Sequence, residues 1–191
     1  MIFDLKEELS RYTPENEQEK SDKKIMLDLL EKERNIFTRD NKIAHFTASS
    51  WVINEDRSKI LMIHHNIYNS WSWTGGHADG EENLLKVAIS EAKEETGLKI
   101  IKPLSQNIFS IEILTVNGHI KNNKYISAHL HLNVTYLLEA NDRDRLSVKS
   151  DENSGVKWVK IDDVENISNE ANMKIIYKKL NEKLKNFKEI V

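Results

Sequence analysis

Cysteine is absent from all 191 residues, which removes disulfides, thiolate metal ligands and a cysteine nucleophile from consideration. Long apolar runs are also absent. The longest is only a few residues, far short of a membrane span. The opening Met1-Ile2-Phe3-Asp4-Leu5-Lys6-Glu7-Glu8 lacks the pattern of a signal peptide, so a cytoplasmic protein without a membrane partner is expected. Neither sign of charge dominates, since 28 lysines and arginines face 31 aspartates and glutamates. The resulting net charge of −3 and pI near 6.2 speak against a chain that wraps nucleic acid, which needs a basic field. No internal repeat and no low-complexity tract occurs.

What is present suits one soluble domain with a small appendage: 39% apolar residues, 31% charged residues and enough length to bury a core. Residues 1–40 are helical in character and highly charged. Leu5 and Leu9, then Ile25, Leu27, Leu29 and Leu30, recur near helical spacing, and Pro14 interrupts them. Two helices are expected there, packed on the main domain or serving a dimer contact. From His45 the pattern changes to strands. Phe46–Ile53 and Lys59–His64, separated by the turn Asn54-Glu55-Asp56-Arg57-Ser58, read as a hairpin. A helix follows over Glu82–Thr96, with Gly97 placed as its C′ residue. Further strands are expected over 99–104, 108–115, 127–138 and 156–159. A final amphipathic helix over 169–186 places Met173, Ile176, Leu180 and Leu184 on one face. Strands mixed with long helices imply an α/β fold, a mixed sheet sandwiched between helices.

The informative segment is Trp73-Thr74-Gly75-Gly76-His77-Ala78-Asp79-Gly80-Glu81-Glu82, running on to Glu91-Ala92-Lys93-Glu94-Glu95-Thr96-Gly97-Leu98. On a helix, Glu91, Glu94 and Glu95 fall within one arc of roughly 100°, and Lys93 projects away from them. Like charges at such spacing destabilise a helix, so a plain solvated acidic face competes with a site for a hard divalent cation. Ala88 and Ala92 on the adjoining arc let the helix sit close to a sheet. Gly75 and Gly76 permit a turn and close approach that other residues resist, and a backbone carbonyl there is a candidate extra ligand.

These residues resemble the Nudix signature, in which glycine, glutamate, an arginine-glutamate pair, a glutamate pair, glycine and an aliphatic residue recur at fixed spacing. The match runs over the 23 residues Gly76–Leu98, through Glu82, Glu91, Glu94, Glu95 and Gly97. The resemblance extends over about 42–190 and implies the family's α/β/α sandwich as a domain of residues 42–191, preceded by a helical extension of residues 1–41. The departure is Ser90, where the family has arginine; Lys86, four residues after Glu82, is a candidate substitute. Thr74 stands where many relatives have proline.

The resemblance implies a Mg²⁺- or Mn²⁺-dependent hydrolase of a pyrophosphate bond in a nucleotide-like substrate. That substrate is either a nucleoside diphosphate linked to another moiety, as in ADP-ribose, or a nucleoside triphosphate. The ligands it implies are Glu91, Glu95 and the Gly76 carbonyl, with Glu94 binding a second ion or acting as general base. Gly75, Glu82 and Gly97 organise the motif. Some relatives place the base on a loop before a late strand, where Glu152 stands; a turn carboxylate bonded to backbone amides is the alternative. The related isopentenyl-diphosphate isomerases need a cysteine, which is absent. A nucleotide-sensing domain without turnover is the competing reading, favoured by Ser90 and opposed by the retained glutamates. A homodimer is a further expectation from the family.

Two other features stand out. Ser127, His129, His131, Asn133 and Thr135 alternate with Ala128, Leu130, Leu132, Val134 and Tyr136, giving a strand with one polar face. That face lines the cleft or meets solvent. A His-x-His pair can bind zinc, but no third ligand stands at a recognisable spacing. Among the tryptophans, Trp51 and Trp158 are expected in the core. Trp71 and Trp73 are open between core and base stacking, and Trp73, His129 and His131 are candidates for substrate contact.

Overall fold

The computed structural model describes residues 4–121 and 123–188; residues 1–3 and 189–191, the outer ends of the two expected segments, lie outside them. Two helices lead the chain, α1 (Leu5–Arg11) and α2 (Glu17–Lys32). Strands β1 (Ala44–Ile53), β2 (Lys59–His65), β3 (Ser70–Ser72) and β4 (Thr74–His77) follow. After α3 (Leu84–Thr96) come β5 (Lys102–Pro103), β6 (Ser110–Val116), β7 (His119–Lys121), β8 (Lys124–Ile126), β9 (His129–Glu139) and β10 (Asn153–Lys160). Helices α4 (Val164–Ile167) and α5 (Ala171–Asn186) close it.

The organising pair is β1 and β9, parallel in register from Ala44 opposite Leu130 to Ile53 opposite Glu139. Because side chains alternate along a strand, the two present matching faces. One face carries Phe46, Ala48, Val52, Leu132, Val134 and Tyr136, all buried beneath α3 and the N-terminal helices in a single cluster with Leu84, Ala88 and Ala92. The other is divided along its length. Trp51, Ile53 and Leu137 enter a second cluster with Tyr177, Leu180 and Leu184 of α5. His45, Thr47, Ser49, His131 and Asn133, nearer the strand starts, form a polar half. The result is the α/β/α sandwich with a mixed sheet.

The expected hairpin is looser than the pattern implied. β1 meets β2 near the turn, Ile53 opposite Ile60, whereas β2 runs along β10 and β3 and β1 runs along β9 and β4. The strand expected over 99–104 shrinks to Lys102–Pro103, because Pro103 has no N–H to continue a ladder. Helix α3 starts two residues later than expected, where the Asn83 side chain accepts the Lys86 N–H at 2.9 Å and caps it. Gly97 ends it as expected, left-handed at φ 74°, with its N–H on the Lys93 carbonyl.

The N-terminal helices are stitched to the sheet by charge as well as by Leu5, Leu9 and Met26. Glu19 of α2 is fully buried and pairs with Lys183 (3.0 Å) and Lys179 (3.3 Å) of α5. Lys179 reaches on to Glu112 of β6 at 2.8 Å. Burial alone would push the Glu19 carboxyl up. The Glu15 N–H, both ammonium groups and the Tyr12 hydroxyl outweigh it and hold the group below the usual carboxylate range.

Candidate active site

α3 lies against β1 and β4 because Ala88 and Ala92 leave no side-chain bulk between them; the Ser50 hydroxyl donates to the Ala88 carbonyl at 2.9 Å. That contact sets where the glutamates point. Glu95 is 3% exposed and its Oε2 accepts the Gly75 N–H at 2.9 Å. Glu91 lies so close to Gly76 that a Cβ there would stand 2.6 Å from Glu91 Oε1. At Gly75 a Cβ would meet the Ala48 carbonyl at 2.5 Å. Both glycines are therefore required by close approach, since each has an ordinary negative φ.

Glu91 and Glu95 line a cavity of about 320 Å³ together with Gly75, Gly76, Trp73, His77, His131 and Glu152. Glu94 lies outside that lining, exposed, with its carboxylate on Lys149 at 3.2 Å. Glu152, just before β10, also meets Lys149, at 3.0 Å. Burial and the neighbouring Glu94 and Glu152 charges push the Glu91 carboxyl up to about 7. Burial raises Glu95 as well, well above the ordinary value, against the Gly75 N–H and with the Glu91 charge. Desolvation alone would lower the Lys149 ammonium, but its hydrogen bonds to Glu152 and Glu94 raise it.

The cation beside the acidic helix thus comes from a distant loop, a feature sequence spacing along α3 did not reveal. Lys86, the candidate replacement for the arginine missing at Ser90, pairs instead with Glu81 at the start of the helix. Glu82 and Ser90 are exposed. Gly97 packs where a Cβ would strike Ser147, whose N–H meets the Thr96 carbonyl at 2.8 Å, so the left-handed cap also brings in the chain that carries Lys149.

The polar face of β9 is turned inward. Asn133 accepts from Ser49 (2.7 Å) and Thr47 (3.1 Å) and donates to Glu112 (3.0 Å). Trp51 is fully buried as expected and Trp158 packs at the core's margin. Trp73 is nearly buried, edge-on to Tyr177, with part of its surface in the cavity wall, and Trp71 carries Lys157 over its ring. His131 borders the cavity; His129 adjoins it with Nε2 3.2 Å from His131 Nε2. Burial, then His77, His45 and His129, lowers the His131 pKa to about 2, leaving a neutral imidazole. Sequence reasoning missed Asp79, whose carboxylate is held by Arg39 through two bonds of 2.7 and 2.6 Å at the cavity edge.

The NUDIX domain family model matches residues 44–182, the span that contains every strand and the glutamate helix. The chain belongs to the Nudix family. Solved Nudix structures repeat the fold. An Ap4A hydrolase from C. elegans superposes with a TM-score of 0.52 at 19% identity, covering 74% of this chain and 98% of its own. A Nudix hydrolase from M. smegmatis gives 0.54 at 14%, over 77% and 89%. The E. coli dihydroneopterin triphosphate pyrophosphohydrolase gives 0.53 at 11%, over 70% and 92%. No curated protein sequence matches the chain. As a Nudix enzyme the protein is a pyrophosphohydrolase. Among the described residues, no helix is long and apolar enough to cross a membrane.

The cavity's donor set fits the divalent cation on which Nudix chemistry depends. Burial raises both carboxyls, helped by the Glu94 and Glu152 charges at Glu91 and by the Glu91 charge at Glu95, so a bound cation would favour the ionised forms. An all-oxygen donor set of this kind fits a hard cation such as Mg²⁺ or Mn²⁺.

Proposed function

We propose that the enzyme hydrolyses the pyrophosphate bond of a nucleoside diphosphate linked to another moiety, ADP-ribose-like, or of a nucleoside triphosphate. Glu91, Glu95 and the Gly76 carbonyl would hold Mg²⁺ or Mn²⁺. The observation that carries this reading is the packing of the Glu91 carboxylate against Gly76, beside the buried Glu95, in the wall of one cavity. When bound, the cation neutralises the diphosphate and acidifies the attacking water. Glu152 takes the proton from that water. What supports Glu152 over Glu94 is that it lines the cavity while Glu94 faces outward. Lys149 holds Glu152 in place through its ion pair. Trp73, Tyr68 and Met173 give the cavity an apolar wall for the part of the substrate that does not react, and neutral His131 offers hydrogen bonding without charge. Ap4A and dihydroneopterin triphosphate, named for the similar structures, share the polyphosphate ester that this cavity would accept.

The test is phosphate and nucleotide release from ADP-ribose, other sugar nucleotides, dinucleoside polyphosphates and nucleoside triphosphates, each with Mg²⁺ or Mn²⁺. Turnover that needs the metal and is lost in Glu95→Gln supports the hydrolase and identifies its substrate class. No turnover on any of them, with a nucleotide still raising the melting temperature, would replace the reading with a sensor.

A further inference from the structure

The sequence offered His129-x-His131 without further ligands; the sheet supplies them. His45 of β1 stands opposite His131 of β9, and His77 of β4 lies opposite Thr47, on the same face as His45. Ring nitrogens of His45, His77 and His131 all lie within 4.8 Å of one another. His129 completes the group, its ring stacked on His45 with centroids 4.9 Å apart.

The orientation of the rings matters more than their number. His45 Nδ1 is 3.1 Å from the Asn41 carbonyl, and His129 Nδ1 is 2.8 Å from the Ser127 carbonyl. A carbonyl only accepts, so each Nδ1 carries a proton, and in a neutral imidazole of this tautomer Nε2 carries the lone pair. Backbone carbonyls fix ligating histidines in this way at metal sites. The His45 Nε2 lone pair is buried and makes no hydrogen bond, in a residue only 4% exposed. Leaving a buried acceptor unsatisfied forfeits its hydration with nothing in return, so a buried histidine beside two others asks for a partner.

We propose that His45, His77 and His131 form a second metal site, for a zinc-class transition-metal cation, with His129 as the available fourth ligand. Imidazole nitrogens select such ions over Mg²⁺, which prefers oxygen. Nitrogens on one tetrahedral zinc ion stand about 3.4 Å apart, so the three rings, now within 4.8 Å of one another, would draw in by up to about 1.4 Å on binding. Three strands of one sheet hold the ligands, and His77 and His131 border the cavity that gives access. His77 follows Gly76 directly, so an ion here would pin β4 beside the glutamates.

Co²⁺ added to the EDTA-treated full chain reads the site without activity. One equivalent should give the intense visible absorption of a four- or five-coordinate nitrogen-ligated ion, and one equivalent of Zn²⁺ should abolish it and raise the melting temperature. The band should persist in Glu95→Gln, which removes the carboxylate site. His77→Ala and His131→Ala should each weaken Co²⁺ at least about hundredfold, and His129→Ala, at the half-buried edge of the group, should weaken it less; circular dichroism checks that all three fold. Weak six-coordinate absorption alone, or a band lost in Glu95→Gln and kept in both His77→Ala and His131→Ala, overturns the proposal.

Discussion

Glu91 carries the largest consequence of a single side chain. Its carboxyl is pushed up to about 7 by burial and by Glu94 and Glu152, with Lys149 working the other way. A folded-state pKa above the ordinary 4.5 means that its stability contribution is present below that value and lost as pH rises through about 7. Metal-free Glu91→Gln should therefore melt higher than the metal-free parent near pH 8, and the gap should close toward pH 5; a constant gap across that range would refute the shift. With Glu91 as the proposed Mg²⁺ ligand, added Mg²⁺ should favour the parent instead, most strongly on the alkaline side, where the carboxylate is ionised. Removing the opposing cation moves the same group further. In Lys149→Met the pH at which the Glu91→Gln advantage is complete should rise, and if Glu152 is the base that Lys149 positions, kcat should fall with it. Glu152→Gln should lower kcat by about 10²–10⁴, the ordinary worth of a general base, with little change in KM; an equal loss in Glu94→Gln but none in Glu152→Gln would return the role to Glu94.

At the scale of the element, the motif is a helix pressed on a sheet with glycine at both ends. Gly76→Ala places a methyl on the Glu91 carboxylate, so Mg²⁺ affinity measured calorimetrically should fall while the fold persists. Gly97→Ala forces a side chain into φ 74° and into Ser147, costing about 1–3 kcal/mol in urea unfolding. The periodicity of α3 and α5, the cap at Gly97 and the alternation along β9 were all legible in the sequence, because each follows from local geometry. The hairpin was legible only in part. Chain proximity joins β1 to β2 at the turn, but the long parallel partner of β1 is β9, some eighty residues away, and no local pattern specifies that pairing.

For the whole molecule, the buried charges between α2, β6 and α5 decide how firmly residues 4–32 are attached. Glu19→Ala leaves Lys183 buried without its main partner, and chemical denaturation should report a loss of about 3–5 kcal/mol. Because the Glu19 carboxyl is held below its ordinary value, its contribution is present above that value and lost as pH falls through the folded pKa. The parent should lose more stability than the variant on acidification below about pH 4.5, and parallel curves would show the pair to be energetically idle.

The sequence alone determined the Nudix motif, the α/β class and the helix that carries Glu91, Glu94 and Glu95. These depend on residue types at short, regular spacings, which the geometry of a helix or strand converts directly into a face. Only the tertiary structure decided which glutamates enter the cavity, that Lys149 rather than Lys86 stands beside them, and that His45 and His77 join His131. Those residues meet because β4, β1 and β9 pair side by side and because the loop before β10 folds over α3. The registers that bring them together are set by burial of the whole sheet, not by anything within a turn or two of each residue.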